Sequence, residues 1–116
     1  SMHPCASLLN EAIALVRVEE QALATEDLYK AGELANRRAG LLQEAWDRRE
    51  GYDEVKLRER LTEMHTAQGR LVVMAEELQQ KLREQQSAGR KQTRYFNGDR
   101  YLNAELKRSF YCDKRS

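Results

Sequence analysis

One long amphipathic helix constrains the fold of this chain more than any other feature. From position 57 to position 85, apolar and neutral side chains recur in alternating steps of four and three, the heptad spacing of helices that pack along a narrow stripe. The stripe consists of Leu57, Leu61, Met64, Gln68, Leu71, Ala75, Leu78, Leu82 and Gln85. Residues 53–87 would form roughly 50 Å of helix at about 1.5 Å per residue. Such a helix cannot bury its own stripe, so we expect the rest of the chain to cover it.

Two shorter helices are predicted before the long one. Ser7 is a candidate N-cap for the first, whose stripe is Leu9, Ile13, Val16, Glu20 and Leu23. The apolar phase breaks at residues 25–27, and Asp27 is a suitable N-cap for a second helix, whose stripe is Leu28, Ala31, Ala35, Arg38, Leu42 and Ala45. Because this break contains no glycine or proline, one continuous helix remains an alternative. Gly51 suits the left-handed position after a helix end, and Asp53 is a candidate N-cap for the long helix.

The sequence therefore predicts an all-α protein with two parts. Residues 1–88 are predicted to form an antiparallel bundle of long helices with coiled-coil-like packing, and residues 89–116 a short C-terminal helical or hairpin segment that turns at Asn97-Gly98. Arg38, Gln68 and Gln85 are polar residues at core positions. We expect Arg38 to reach the bundle edge and the glutamines to pair across helices. The alternative is that these polar positions fix the register of the helices.

Charge and aromatic residues divide the chain at the same place. Residues 1–86 contain 12 Lys and Arg against 16 Asp and Glu, whereas residues 87–116 contain 8 against 3. The body thus carries a net charge of −4 and the C-terminal segment +5. Five of the eight Phe, Trp and Tyr residues also lie after residue 87. The segment is therefore a candidate for binding a partner.

Three interpretations of the basic, aromatic segment remain open: docking of a protein, folding back onto the acidic body, and binding of nucleic acid. Apolar residues accompany the aromatic ones, which favours a protein partner over nucleic acid. The candidate anchors are Tyr95, Phe96, Tyr101, Leu102, Leu106 and Phe110. Exposed aromatic side chains are where binding energy concentrates at protein interfaces.

The sequence contains no recognisable catalytic or cofactor-binding motif. It has no glycine-rich phosphate loop, no paired cysteine spacing and no histidine cluster, so we expect neither an enzyme nor a bound metal or cofactor. His3 is predicted to lie in a mobile N-terminus and His65 on a solvated helix face. Cys5 and Cys112 are predicted to be free thiols of a cytoplasmic protein, and the alternative is a disulfide between them if the two ends of the chain meet. No apolar run approaches the roughly 18 residues that a membrane span needs.

Part of the first two helices resembles a known family. Glu19-Glu20-Gln21-Ala22-Leu23, then Asp27-Leu28, Leu34, Arg37-Arg38 and Leu41-Leu42, are similar to the pattern of flagellar type III export chaperones of the FlgN/FliT type. The resemblance covers most of residues 9–46 and, loosely, the last thirty. The more aromatic and basic C-terminus, residues 110–115, departs from the family.

The resemblance implies a cytoplasmic helical chaperone or adaptor. Such a protein would bind an amphipathic helix of a flagellar export substrate, a hook–filament junction or filament-cap protein, and deliver it to the export gate. The family's cargo and gate contacts would correspond here to Leu78, Leu82 and the segment 95–111. The alternatives are a self-associating coiled coil, hence a homodimer, and a nucleic-acid-binding regulatory protein that uses the basic C-terminal tail.

Overall fold

A computed structural model describes residues 1–88, and these residues form three α-helices. Helix α1 spans Pro4–Ala24, α2 spans Leu28–Asp47 and α3 spans Glu54–Ser87. The predicted all-α class is confirmed for this part of the chain, and so is the break between the first two helices. The predicted C-terminal helical or hairpin segment lies outside the described residues.

Two of the helix starts follow the predicted capping residues. The Asp27 carboxylate accepts a hydrogen bond from the backbone N–H of Lys30 at 3.0 Å, and the Asp53 carboxylate accepts one from Val55 at 2.8 Å. Both bonds satisfy amides that have no partner within their own helix. Gly51 has the left-handed backbone (φ 81°) that its sequence context predicts. In the α1–α2 turn the same region is occupied by Glu26 (φ 62°), which is uncommon for a residue with a Cβ.

The start of α1 differs from the prediction. The helix begins at Pro4, so Ser7 lies within its first turn and His3 is the N-cap. The backbone N–H of Cys5 donates to His3 Nδ1 at 3.0 Å, and His3 Nε2 lies 3.0 Å from the carbonyl oxygen of Glu50. The prediction of a mobile N-terminus is therefore wrong, because the His3 imidazole contacts both the first turn of α1 and the α2–α3 loop. Proline at the first helical position costs no hydrogen bond, since that N–H would have no helical acceptor.

The chain direction alternates along the three helices, so α1 and α3 run parallel and α2 runs antiparallel to both. Helix α1 packs closely against α2 and, less extensively, against α3. Near the start of both parallel helices, Arg60 donates a hydrogen bond to the side chain of Asn10. Near the other end, Lys81 Nζ lies 2.6 Å from the Glu26 carboxylate in the α1–α2 turn. Helix α3 is longer than either partner, with 34 residues against 21 and 20.

The stripe of α3 faces the core as predicted. Seven of its nine positions are buried, and Leu61 and Gln85 are half-buried. The buried apolar residues of all three helices form one cluster: Cys5, Leu9, Ala12, Val16, Ala22, Leu23, Leu28, Ala31, Ala35, Leu42, Ala45, Leu57, Met64, Ala67, Leu71, Ala75, Leu78 and Leu82. On α1 the stripe passes through Glu19, which is buried, and not through the predicted Glu20.

Within residues 1–88, no helix combines the length and the apolar character that crossing a bilayer requires.

Candidate functional site

A groove of about 360 Å³ runs between α1 and α3. Its apolar lining comes from Ile13 and Val16 of α1 and from Met64 and Ala67 of α3. Val16, Met64 and Ala67 are buried beneath the surface, whereas Ile13 is half-buried. Both helices contribute residues over about two turns, so the groove is roughly 10 Å long and follows the helix axes. The small side chain at Ala67 leaves much of this space open, because a larger residue there would extend toward α1.

Charged residues form the rim of the groove. Arg17 and Glu20 lie on the α1 side, and Glu63 and Arg70 on the α3 side. The two cations and two anions leave the rim without a net charge, and Glu63 is paired with Arg60 of its own helix at 3.2 Å. An apolar floor between charged edges suits an apolar side chain that is flanked by charges of both signs. This is the pattern of an amphipathic helix lying in a groove.

A buried polar layer lies next to the groove and contains one residue from each helix. The Arg38 guanidinium of α2 donates from Nε to Glu19 Oε2 at 2.6 Å and from Nη2 to Glu19 Oε1 at 3.0 Å. It also donates from Nη1 to the side-chain oxygen of Gln68 on α3, at 3.0 Å. Glu19 and Arg38 are fully buried and Gln68 is 1% exposed. The two-pronged contact with a carboxylate is the strongest geometry available to arginine.

This layer corrects the expectation that Arg38 reaches the bundle edge, since its guanidinium ends at the centre of the core. Arg38 instead joins Glu19 of α1 and Gln68 of α3, and the alternative, in which polar positions fix the register, stays a prediction. A shift of any one helix by a turn would separate charges that have no water to replace their partner. No substrate could reach the layer as it stands, because all three side chains are sealed from solvent. The buried side-chain nitrogen of Gln68 has no hydrogen-bond partner within residues 1–88.

Met64 connects the groove to the polar layer. Its sulfur lies 3.9 Å from Arg38 Nη1, and the same side chain lines the groove. A group that enters the groove would therefore contact a residue that touches the guanidinium. The arginine that joins the three helices therefore also contacts the groove floor, at Met64.

The predicted partner-binding residues fall into two groups. Leu78 and Leu82 are buried on α3 and belong to the apolar core cluster, at 7% and 3% exposure. Both lie beyond the groove toward the C-terminal end of the helix. The remaining predicted anchors are outside the described residues: Tyr95, Phe96, Tyr101, Leu102, Leu106 and Phe110.

Of the histidines and cysteines that were considered as metal ligands or reactive thiols, the structure describes His3, Cys5 and His65. Residues 1–88 contain no group of three or more His, Cys, Asp or Glu side chains that could hold a metal ion. His65 is exposed on α3. Cys5 is a buried free thiol, and burial raises its pKa although Arg49 opposes the shift. Because the thiolate is the nucleophile, this cysteine is poorly suited to attack a substrate.

The sequence contained one unused signal for the buried layer. Leu9, Ala12, Val16, Glu19 and Leu23 recur in steps of three and four as regularly as the stripe through Glu20, and the buried stripe follows this second pattern. A Glu at a core position of one helix and an Arg at a core position of the next suggest a buried pair. The groove has no comparable signal, because its volume depends on how far apart α1 and α3 pack.

Comparisons of the chain with protein-family models, with curated proteins and with solved structures find no match.

Proposed function

We propose that this protein is a helical chaperone or adaptor that binds an amphipathic helix of a partner protein in the groove between α1 and α3. The observation behind the proposal is the apolar floor of Ile13, Val16, Met64 and Ala67, which opens between rims of mixed charge. Side chains of two successive helical turns fit a groove of this length. Charges at the rim would orient the bound helix more than they would tighten it.

The resemblance to flagellar type III export chaperones supplies a candidate partner. On this proposal the bound helix belongs to an export substrate, a hook–filament junction or filament-cap protein, and the complex forms in the cytoplasm before delivery to the export gate. Coiled-coil-like packing of α3 against α1 and α2 would give the groove its rigid walls. The C-terminal segment 89–116, with its anchors at Tyr95, Phe96 and Tyr101, is proposed as a second contact for the same partner.

A peptide-binding assay tests the groove. The probe is a fluorescein-labelled peptide of about 20 residues from the C-terminal helix of a junction protein of the same organism. Ile13→Lys places a charge on the groove wall, so the dissociation constant should rise at least tenfold in fluorescence anisotropy. Leu34→Lys is the matched control, because Leu34 is a half-buried apolar residue of α2 that does not line the groove.

Three results would count against the proposal. Equal loss in both lysine variants would mean that binding depends only on stability, which circular dichroism melts would show. Unchanged binding in Ile13→Lys, together with loss on deletion of residues 90–116, would move the site to the C-terminal segment. Binding of a DNA duplex that collapses between low and moderate salt, with no peptide binding, would favour the nucleic-acid alternative.

A further inference from the structure

Two hydrogen-bond donors lie on opposite sides of the groove between α1 and α3. Arg17 of α1 and Thr66 of α3 both line this groove, and both side chains are exposed. Their level along the bundle follows from the polar layer, because the Arg38 guanidinium contacts Glu19 and Gln68 together. Arg17 and Thr66 each lie two positions before one of these polar residues, so the two parallel helices bring them to the same level.

Neither of these two side chains is satisfied within residues 1–88. There the Arg17 guanidinium makes no ion pair and the Thr66 hydroxyl makes no hydrogen bond. A guanidinium only donates hydrogen bonds, and a hydroxyl can donate one. An ionised carboxylate only accepts them, so it is the side-chain group that both donors could bind at once.

The other charges of the rim offset one another at this level. Toward the N-terminal end of α3, Glu63 is already paired with Arg60 at 3.2 Å. Toward the other end, Glu20 and Arg70 lie on opposite walls of the groove at nearly the same level, so their fields oppose each other midway along it. The charge that remains uncompensated is that of Arg17, which favours an anion at the middle of the groove.

We propose that the partner helix carries an Asp or Glu beside its apolar anchor, and that this carboxylate binds between Arg17 and Thr66 while the anchor fills the space above Ala67. Residues three or four positions apart are neighbours on a helix surface, so the acidic residue is expected at that distance from the anchor. This inference rests on the function proposed above and adds the chemistry of the partner.

The basic C-terminal segment fits the same kind of partner. Residues 89–116 contain 8 Lys and Arg against 3 Asp and Glu, so the segment is a poor source of carboxylates for the groove. As a second contact, its positive charge would attract an acidic partner helix. Charge complementarity therefore favours a separate, acidic helix over the chain's own C-terminal segment as the occupant.

Three designed helical peptides test the preference for an acidic partner. They share the same leucine anchors and differ only at the positions that flank the anchors, which are Glu, Gln or Lys. In fluorescence anisotropy with the full chain at low salt, the Glu peptide should bind about fivefold more tightly than the Gln peptide, since ion pairs at an exposed rim are weak. The Lys peptide should bind least tightly, and added salt should reduce the differences.

Variants of the two donors locate the preference. Arg17→Glu should reverse the order of the peptides, so that the Lys peptide binds more tightly than the Glu peptide. Arg37→Glu is the matched control, because it changes the net charge equally at an exposed arginine that does not line the groove, and the order should stay the same. Thr66→Val removes the hydroxyl at nearly constant volume and should reduce the preference for Glu over Gln while the Gln peptide binds as before.

Ile13→Lys separates this inference from the proposed function. Equal dissociation constants for the three peptides, all raised by Ile13→Lys, would overturn the inference and leave the groove as the binding site. An order that Arg37→Glu reverses as strongly as Arg17→Glu would also overturn it, because the overall charge of the protein would then decide the preference. If neither these peptides nor the junction-protein peptide binds, the proposed function and this inference both fail.

Discussion

Two neighbouring levels of the same core are stabilised in different ways: the buried polar layer, here called the polar level, and the apolar level around Leu71. At one level Glu19, Arg38 and Gln68 join the three helices through hydrogen bonds between charged and polar groups. One turn further along α3, Leu71 is also fully buried, and it belongs to the cluster of buried apolar residues. The stability that the apolar level contributes depends on how well side chains fill its volume, and the removal of one methylene group has a limited cost. The stability of the polar level requires every hydrogen-bond partner to be present, because removing one partner leaves another polar group buried without a hydrogen bond.

This difference separates stability from specificity. Apolar side chains of suitable size can pack in several registers, so the apolar levels stabilise a bundle without selecting one alignment. The polar level tolerates one alignment, since Glu19 and Arg38 neutralise each other only when α1 and α2 are in this register. Replacing a buried ion pair by apolar residues is often neutral or stabilising, so its contribution is better sought in alignment than in net free energy.

The largest effect is expected when the polar level is broken on one side. Arg38→Met removes the guanidinium and leaves the Glu19 carboxylate buried without its partner, which should lower the free energy of unfolding by about 3–5 kcal/mol. Urea titration monitored by circular dichroism measures the change. Arg37→Met is the matched control, because Arg37 is the exposed neighbour of Arg38 and should shift the midpoint very little.

A second variant distinguishes the ion pair from its neighbours. Glu19→Leu combined with Arg38→Met removes both charges, so most of the lost stability should return. The melting transition should also broaden if the pair fixes the register. A double variant that is as unstable as Arg38→Met alone would show that the cost comes from packing and not from the unpaired charge.

The apolar level should respond less sharply. Leu71→Ala leaves a cavity in the core and should cost about 2–5 kcal/mol, depending on how far the surroundings collapse. Val73→Ala deletes apolar atoms from the exposed face of the same helix and should change the free energy of unfolding by less than about 0.5 kcal/mol. Reversible urea melts compare the two variants. A loss below 0.5 kcal/mol for Leu71→Ala would contradict the burial of the stripe.

Periodicity predicted the helices well, because a stripe reports directly on which face of a helix is buried. The long stripe of α3 and the caps at Asp27 and Asp53 are local signals, and the structure confirms both caps. The choice between Glu19 and Glu20 could not be made locally, since each completes a regular repeat. Glu19 is the buried one because it pairs with Arg38, which lies on another helix. The groove could not be predicted from the sequence either, because the space above Ala67 depends on the separation of two helices that are distant in sequence.

The end of the bundle near His3 had no periodic signal at all, yet it joins two distant parts of the chain. His3 Nδ1 caps α1, its Nε2 lies 3.0 Å from the Glu50 carbonyl oxygen, and its ring lies 5.3 Å from that of Tyr52. A ring that accepts at Nδ1 and donates at Nε2 is neutral, and both contacts need this one tautomer. The cap and the link to the α2–α3 loop are therefore properties of the same side chain.

The smallest predicted effect separates these two roles of His3. His3→Ala removes both contacts and should lower the free energy of unfolding by about 1 kcal/mol or somewhat more, as expected for a lost N-cap. His3→Asn keeps a good capping residue but is too short to reach Glu50, so it should recover the part of the loss that belongs to the cap. Urea melts give the total, and hydrogen exchange at residues 5–7 reports the first turn of α1 separately. If His3→Asn is as unstable as His3→Ala while the first turn stays protected, the link to the α2–α3 loop carries the stabilisation, and this end of the bundle depends on a long-range contact as the polar level does.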